Sequence, residues 1–391
     1  MNIIFIGQLY LDGQIKTFSS MGSLIDISAH TFQQALLNGI NVAEHSINVI
    51  SAPSVSHYPK TQKLYIGSTQ QESHDMCRYS ISFVNLPGIK HITKAISLRR
   101  QLKKILSDNK EHHIVVYGMH SPFLLGLLGI KKKYKSCLII PDLPEFMSEK
   151  RDIMYRIAKK IDRIFIDWGL KNIDSYILFS PLMRERLSIK KPFDIIEGLY
   201  QPPMQSTIQV KERYKTILYT GNLDARYGIM TLLEAFHAID DTNYRLWICG
   251  DGNSVNNIKI YEQNDNRIKY WGTLTRDQVL ELQKRATILI NPRSSSEEYT
   301  KYSFPSKTME YLASGTPTIM AHLSSIPTEY DPYIYYLDDE SSEGIKQKIL
   351  EVGSLPQEEL DEFGAKATKF ILTQKNNHSQ ANKLITLLKT I

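Results

Sequence analysis

An α/β protein built of two parallel-sheet domains is what this sequence predicts, on three observations. Short apolar runs alternate with segments of helical periodicity along the 391 residues, the signature of parallel α/β layers rather than of a sandwich or a bundle. The alternation stops and restarts at Glu197-Gly198-Leu199-Tyr200-Gln201-Pro202-Pro203, where a glycine and a proline pair mark a linker. Apolar residues make up 42% of the chain and charged ones 23%, which supports two cores and argues against disorder. Two Rossmann-like domains are expected, over 1–198 and 199–391, facing across a cleft at the C-terminal ends of their strands, where open α/β sheets bind ligands.

In the first half, strands are expected at 3–6, 47–50, 79–83, 114–117, 137–140 and 176–179. The opening run lacks the basic region and long apolar core of a leader peptide and reads as a buried strand. The longest apolar run, 122–130, is far short of a membrane span. A helix starts near Asp26 and continues through Phe32, Ala35 and Leu36. The second half restarts with strands at 216–220, 245–249, 268–271, 287–291 and 318–320, and Leu232, Leu233, Phe236 and Ile239 share one helix face. The final segment, 357–391, has helical content. Cys77, Cys137 and Cys249 lack metal-ligand spacing and read as core thiols of a reducing compartment.

Charge is divided unevenly. Residues 1–200 hold 26 Lys+Arg against 17 Asp+Glu, or +9, which leaves −3 for the remainder. The basic clusters fall at Arg99-Arg100 with Lys103-Lys104, at Lys131-Lys132-Lys133 with Lys135, and over 150–163, where Ile153, Ile157, Ile161 and Ile164 repeat at helical spacing. One reading packs these isoleucines on a core and solvates the charges. The sharper reading is an anionic membrane surface. No nucleic-acid-binding module accompanies the charge.

The most informative stretch is Tyr302-Ser303-Phe304-Pro305-Ser306-Lys307-Thr308-Met309-Glu310-Tyr311-Leu312-Ala313-Ser314-Gly315-Thr316-Pro317. Its punctuation predicts a short helix with Ser303 as cap, Pro305 at the first helical position, and Gly315 and Pro317 as the stop. Lys307 in the first turn opposes the helix dipole and is out of place unless an anion sits there, phosphate being the usual one. Glu310 shares a face with Lys307 and Ser306, suited to accept hydrogen bonds from ribose or sugar hydroxyls. The blander alternative pairs Glu310 with a solvated Lys307.

Other turns offer chemistry of the same kind. In Thr220-Gly221-Asn222-Leu223-Asp224-Ala225-Arg226-Tyr227-Gly228 the glycines admit a close ligand and Arg226 offers a forked donor to phosphate. Gly250 lies in a turn, Cys249-Gly250-Asp251-Gly252, that reads equally as a simple turn or as a ligand loop. Thr275 and Gln278 form a capping box. Arg293 either reaches phosphate or pairs with Glu297 or Glu298. In the first half, Gly22 lies in a loop before a helix, His120 follows a strand, and Asp142 with Glu145 brings two carboxylates to a strand end, where helix capping is the structural alternative.

The stretch from Phe304 to Pro317 closely resembles the donor-site signature of the family 4 glycosyltransferases of the GT-B fold, in the bacterial surface and capsular polysaccharide branch that reads Phe-Pro-Ser-Lys, Glu-Tyr and Ala-Ser-Gly-Thr-Pro. The resemblance implies a retaining transfer from a nucleotide diphosphate sugar. It puts Arg226 and Lys307 on the diphosphate, Glu310 on the ribose, Gly250 beside the nucleotide, the segment 270–274 at the base, and the Gly22 loop over the phosphates from the first domain. The donor site then comprises Gly22, Gly221, Arg226, Gly250, the run Tyr302-Ser303-Phe304-Pro305-Ser306-Lys307, and Glu310. His120 and Asp142 join Arg226 and Lys307 as catalytic candidates, and Glu145 is the acceptor candidate. Tyr302 stands where the family archetype has a sugar-binding glutamate, and Tyr227 where a second basic residue is common. In proteins of this fold the last helix crosses back to the first domain.

The expectation is a cytoplasmic hexosyltransferase, peripheral on the inner face of the cell membrane, acting on a glycan or lipid-linked acceptor. No cofactor is expected, and no metal, since the chain has no Asp-x-Asp triplet. The rival readings are a catalytically silent GT-B partner subunit, motivated by Tyr302, and a nucleotide-sugar epimerase on the same fold.

Overall fold

The computed structural model describes residues 1–40, 44–73, 76–108, 110–130, 134–143, 153–202 and 210–391. The chain divides into two compact units, one of Met1–Leu199 with Asn377–Ile391, the other of Tyr200–Asn376.

The strands of the first unit are β1 (Asn2–Gly7), β2 (Ser46–Ser51), β3 (Tyr65–Ile66), β4 (Thr69–Ser73), β5 (Met76–Ser80), β6 (Phe83–Val84), β7 (His112–Tyr117), β8 (Tyr134–Ile140), β9 (Ser175–Leu178) and β10 (Phe193–Ile195). Its helices are α1 (Gln14–Ser20), α2 (Ile27–Gly39), α3 (Ile89–Ile105), α4 (Ser121–Leu127), α5 (Ile153–Leu170) and α6 (Leu182–Arg186). Eight strands form one sheet in the order β10-β9-β8-β7-β1-β2-β5-β4, parallel except at β4, while β3 and β6 pair separately. Ile3, Ile4, Phe5 and Ile6 are all fully buried, as befits a central parallel strand covered on both faces. The strand order reverses between β1 and β7, and a crevice at such a switch point is where doubly wound sheets bind ligands.

The second unit has β11 (Lys215–Asn222), β12 (Tyr244–Asp251), β13 (Ile268–Tyr270), β14 (Ile288–Asn291), β15 (Thr318–Ala321) and β16 (Tyr335–Leu337), all parallel, in the order β13-β12-β11-β14-β15-β16. Its helices are α7 (Ile229–His237), α8 (Val255–Asn264), α9 (Arg276–Arg285), α10 (Lys307–Ala313), α11 (Ser342–Ser354) and α12 (Gln357–Gln374). The switch point here lies between β11 and β14. The chain then returns as α13 (Asn377–Lys389), which sinks Ala381, Leu384 and Leu388 among Leu36, Leu37 and Val115 of the first unit's core. Gly39 makes room for this return, because a Cβ there would lie 2.1 Å from the Asn377 carbonyl oxygen.

Three expectations need correction. The strand expected over 79–83 stops at Ser80, and Phe83 belongs to β6. The helix expected from Pro305 starts at Lys307, with Ser306 rather than Ser303 at the cap and no side-chain cap bond. On the stripe expected along α5, Ile157, Ile161 and Ile164 do not face a core: they are 53%, 51% and 66% exposed, and Trp168 joins them, while Ile166 and Gly169 turn inward. Among the described residues, no helix is long and apolar enough to cross a membrane.

Candidate active site

The two central strands of the second unit end side by side, with Gly221 of β11 in register with Gly250 of β12. Both positions exclude a side chain. A Cβ on Gly250 would fall 1.7 Å from the Gly221 carbonyl oxygen, and one on Gly221 would fall 1.8 Å from Lys307 Nζ. The space a Gly221 side chain would need is therefore the seat of Lys307. That ammonium donates to the Thr220 carbonyl at 2.6 Å and lies 5.8 Å from the centre of the Tyr219 ring. Burial lowers its pKa to about 8, against a smaller opposing pull from Glu310.

Thr220 is held firmly. Its amide donates to the Tyr311 hydroxyl at 2.9 Å, and that hydroxyl donates back to the Thr220 carbonyl at 3.2 Å. Tyr311 is fully buried one turn along α10 from Lys307, so the helix and the strand end are locked together. Glu310 is not the partner of Lys307. Its Oε1 accepts from Gln283 Nε2 at 2.8 Å and its Oε2 lies 3.8 Å from Arg276 Nε. Gln283, fully buried on α9, thus aims the carboxylate. No sequence signal singled it out, since a glutamine among charged helix residues carries no pattern.

Arg226 sits in a single 3-10 turn, Ala225–Tyr227, exposed, with its guanidinium 5.0 Å from the Tyr227 ring centre. Gly228 ends that turn at φ 80° against the Pro292 carbonyl, which brings the loops after β11 and β14 together at the switch point. Arg293, just beyond β14, is 7% exposed and stacks 4.6 Å from the Tyr299 ring centre rather than pairing with Glu297 or Glu298. Its Nε and Nη2 are buried without a hydrogen bond, and burial, with a smaller push from Arg226, lowers its pKa. In the preceding run, Phe304 enters the core against Tyr330, the Ser303 carbonyl accepts from Ser325, the Pro305 carbonyl accepts from the Thr308 amide, Ser306 is exposed and Tyr302 half-buried. The expected capping box is present, with Thr275 and Gln278 each bonding the other's backbone.

In the first unit, Gly22 adopts φ 77° after α1, and a Cβ there would meet the Lys60 carbonyl at 2.8 Å. Asp26 caps α2 by accepting from the Ala29 amide. His120 caps α4 beyond β7, its ring stacked edge-on to Phe123 and over Gly118. Burial, with Lys94 and His91 adding to it, drops its pKa to about 4, so the ring is neutral at pH 7. It lines a cavity of about 240 Å³ at the ends of β1, β2 and β7. Gly22 and Asp142 are not in that lining; Asp142 is exposed beyond β8. Glu145 lies outside the described residues. Among the described residues, no group of three His, Cys, Asp or Glu side chains is placed to hold a metal.

Residues 203–370 match the family of glycosyl transferases group 1. The second unit carries a glycosyl transferases group 1 domain. No curated protein sequence matches the chain. Solved structures match it over nearly its whole length. Sucrose-phosphate synthase from Thermosynechococcus elongatus is 14% identical at a TM-score of 0.64, over 100% of this chain and 99% of that one. Trehalose-6-phosphate synthase is 9% identical at 0.69, over 100% and 99%. TarM from S. aureus, solved with fondaparinux, alpha-GlcNAc-glycerol and UDP, is 11% identical at 0.62, over 99% and 100%. These likenesses show the fold around the glycosyltransferase domain: GT-B, with two Rossmann-like domains.

Proposed function

We propose that the chain is a retaining hexosyltransferase that moves a sugar from a nucleotide diphosphate donor to a glycan or lipid-linked acceptor in bacterial surface polysaccharide assembly. The observation that carries this reading is the seat of Lys307: a half-buried ammonium resting on a backbone carbonyl, ion-paired with no carboxylate among the described residues, in a glycosyl transferases group 1 domain. Lys307 and Arg226 take the charge that develops on the leaving diphosphate, and Glu310, aimed by Gln283, takes the ribose hydroxyls. With two cations on the leaving group, no metal is called for. His120, neutral and held over Gly118, offers one N–H and one lone pair to the transferred sugar. Asp142 and Glu145 are the carboxylates for the acceptor hydroxyl or the cationic sugar. The acceptor is met at the membrane surface, to which the exposed apolar ridge of α5 and its neighbouring lysines bind peripherally.

Incubation with a panel of radiolabelled nucleotide sugars and glycan or lipid-linked acceptors tests the reading. Label passing to acceptor is expected. Isomerised donor would identify an epimerase, and an inert protein that binds no donor would identify a silent partner subunit.

A further inference from the structure

The first two turns of helix α3 are inside out, whereas Leu98 and Leu102 further along are buried in the ordinary way. Along Ile89–Ile105 the helix exposes Ile89, Ile92 and Ile96 and buries Lys90 and Lys94, which are 7% and 6% exposed. Burying an ammonium is costly unless a counter-charge is present, yet no carboxylate forms an ion pair with either lysine among the described residues. Lys94 Nζ donates to the carbonyls of Ala52 at 3.2 Å and Pro53 at 2.9 Å, and Lys90 Nζ donates to that of Val55. The face of Phe83 lies 4.4 Å from Lys94 Nζ and 5.7 Å from Lys90 Nζ. Burial holds Lys94 well below the ordinary lysine range and Lys90 at about 8.

Both lysines line the cavity at the switch point of the first unit, together with His57, His91 and His120; Asp162 of α5 is the one carboxylate of its lining among the described residues. Five nitrogen bases thus converge on a space of about 240 Å³, below the ~300–1,000 Å³ of pockets that enclose whole small molecules. A nucleotide sugar does not fit it; a compact anionic head group does. Carbonyls and an aromatic face can hold two lysines in place, and burial alone favours the loss of their protons; an anion in the cavity is what favours the charged form of both.

We propose that this cavity binds a phosphate group carried by the acceptor. The inference deepens the proposed transfer and rests on it for the word acceptor, since His120 is both a wall of the cavity and the histidine assigned to the reacting sugar. Such a phosphate belongs either to a soluble phosphorylated sugar or polyol or to a lipid monophosphate.

The test uses the full chain and calorimetric titration with inorganic phosphate, glycerol 3-phosphate and, as vesicles, phosphatidylcholine carrying a prenyl monophosphate. It is run on the wild type, on Arg226→Ala/Lys307→Ala to disable the donor site, and on Lys90→Met/Lys94→Met. The expected result is phosphate binding that survives the first pair of substitutions and weakens at least tenfold in the second. Binding confined to glycerol 3-phosphate assigns a soluble acceptor, and binding confined to the vesicles assigns a lipid one. The methionine variant should also melt higher than the wild type, because uncompensated buried charge has been removed. If the lysines are structural it melts lower with phosphate binding unchanged, which overturns the proposal, as does an absence of phosphate binding by the wild type. A failed donor panel with intact Lys90- and Lys94-dependent phosphate binding would sink the transferase reading and leave the site standing.

Discussion

A lysine resting on a carbonyl keeps its charge for something else, and that distinction governs what Lys307 can do. An ammonium paired to a carboxylate has its field cancelled; one hydrogen-bonded to the Thr220 carbonyl at 2.6 Å does not. Lys307→Ala and Arg226→Ala are each expected to lower kcat/KM by about 2–4 kcal/mol of transition-state stabilisation, a factor of roughly 30 to 10³, with circular dichroism unchanged. The titration of Lys307 adds a second expectation. Its folded pKa, about 8, lies below the ordinary lysine value of 10.5, so between those values the unfolded chain holds the extra proton. The group's contribution to stability is therefore unfavourable below pH 8 and is relieved as pH rises through that window. Ligand binding runs the other way: a diphosphate favours the charged form, so its affinity should be full below pH 8 and weaken above it. Titration of nucleoside diphosphate from pH 7 to 9.5 checks this, and a flat profile would remove Lys307 from the phosphate. Lys307 was legible in the sequence because its place in a punctuated helix broke an electrostatic rule. Lys90, in the first turn of α3 behind Gly88, breaks the same rule and could have been found by it. Gln283 and the stacking of Arg293 on Tyr299 could not, being contacts between distant segments.

At the scale of the element, the central strands were legible because burial on both faces leaves near-continuous apolar runs. The edges were not. β4, with the sequence Thr-Gln-Gln-Glu-Ser, has no apolar residue to betray it, and β10 and β16 are three residues each. The isoleucines of α5 left two readings open for the opposite reason: periodicity marks an apolar face but not which way it points. Helix α9 shows where local chemistry suffices, since the Thr275–Gln278 box was written in the spacing and both bonds are present. Thr275→Ala is expected to cost about 1 kcal/mol in denaturant unfolding. Because α9 carries Gln283 and Arg276 to Glu310, KM for the donor should also rise. Stability lost with an unchanged KM would mean that α9 does not aim the carboxylate.

At the scale of the whole molecule, α13 is the last element of the chain but belongs to the core of the first unit. Truncation after Asn376 removes Ala381, Leu384 and Leu388, each fully buried. It is expected to lower the melting of the first unit while a second calorimetric transition, from Tyr200–Asn376, stays in place. The charge asymmetry, +9 over residues 1–200 and −3 beyond, acts at this scale too. Ile157, Ile161, Ile164 and Trp168 form an exposed ridge on α5, and Lys159, Lys160 and Arg163 lie on the same helix. Each basic residue near an anionic bilayer contributes about 1 kcal/mol and loses it over a Debye length, so the hold should be reversible and salt-sensitive. The ridge adds apolar insertion, which salt does not weaken. Two variants separate these contributions in sedimentation with phosphatidylglycerol vesicles. Lys159→Glu/Lys160→Glu should bind less at low salt and converge with the wild type at high salt. Ile161→Asp/Ile164→Asp should bind less at both. Equal binding by all three proteins, or none by the wild type at low salt, would take the membrane out of this account and leave a soluble acceptor as the substrate to seek.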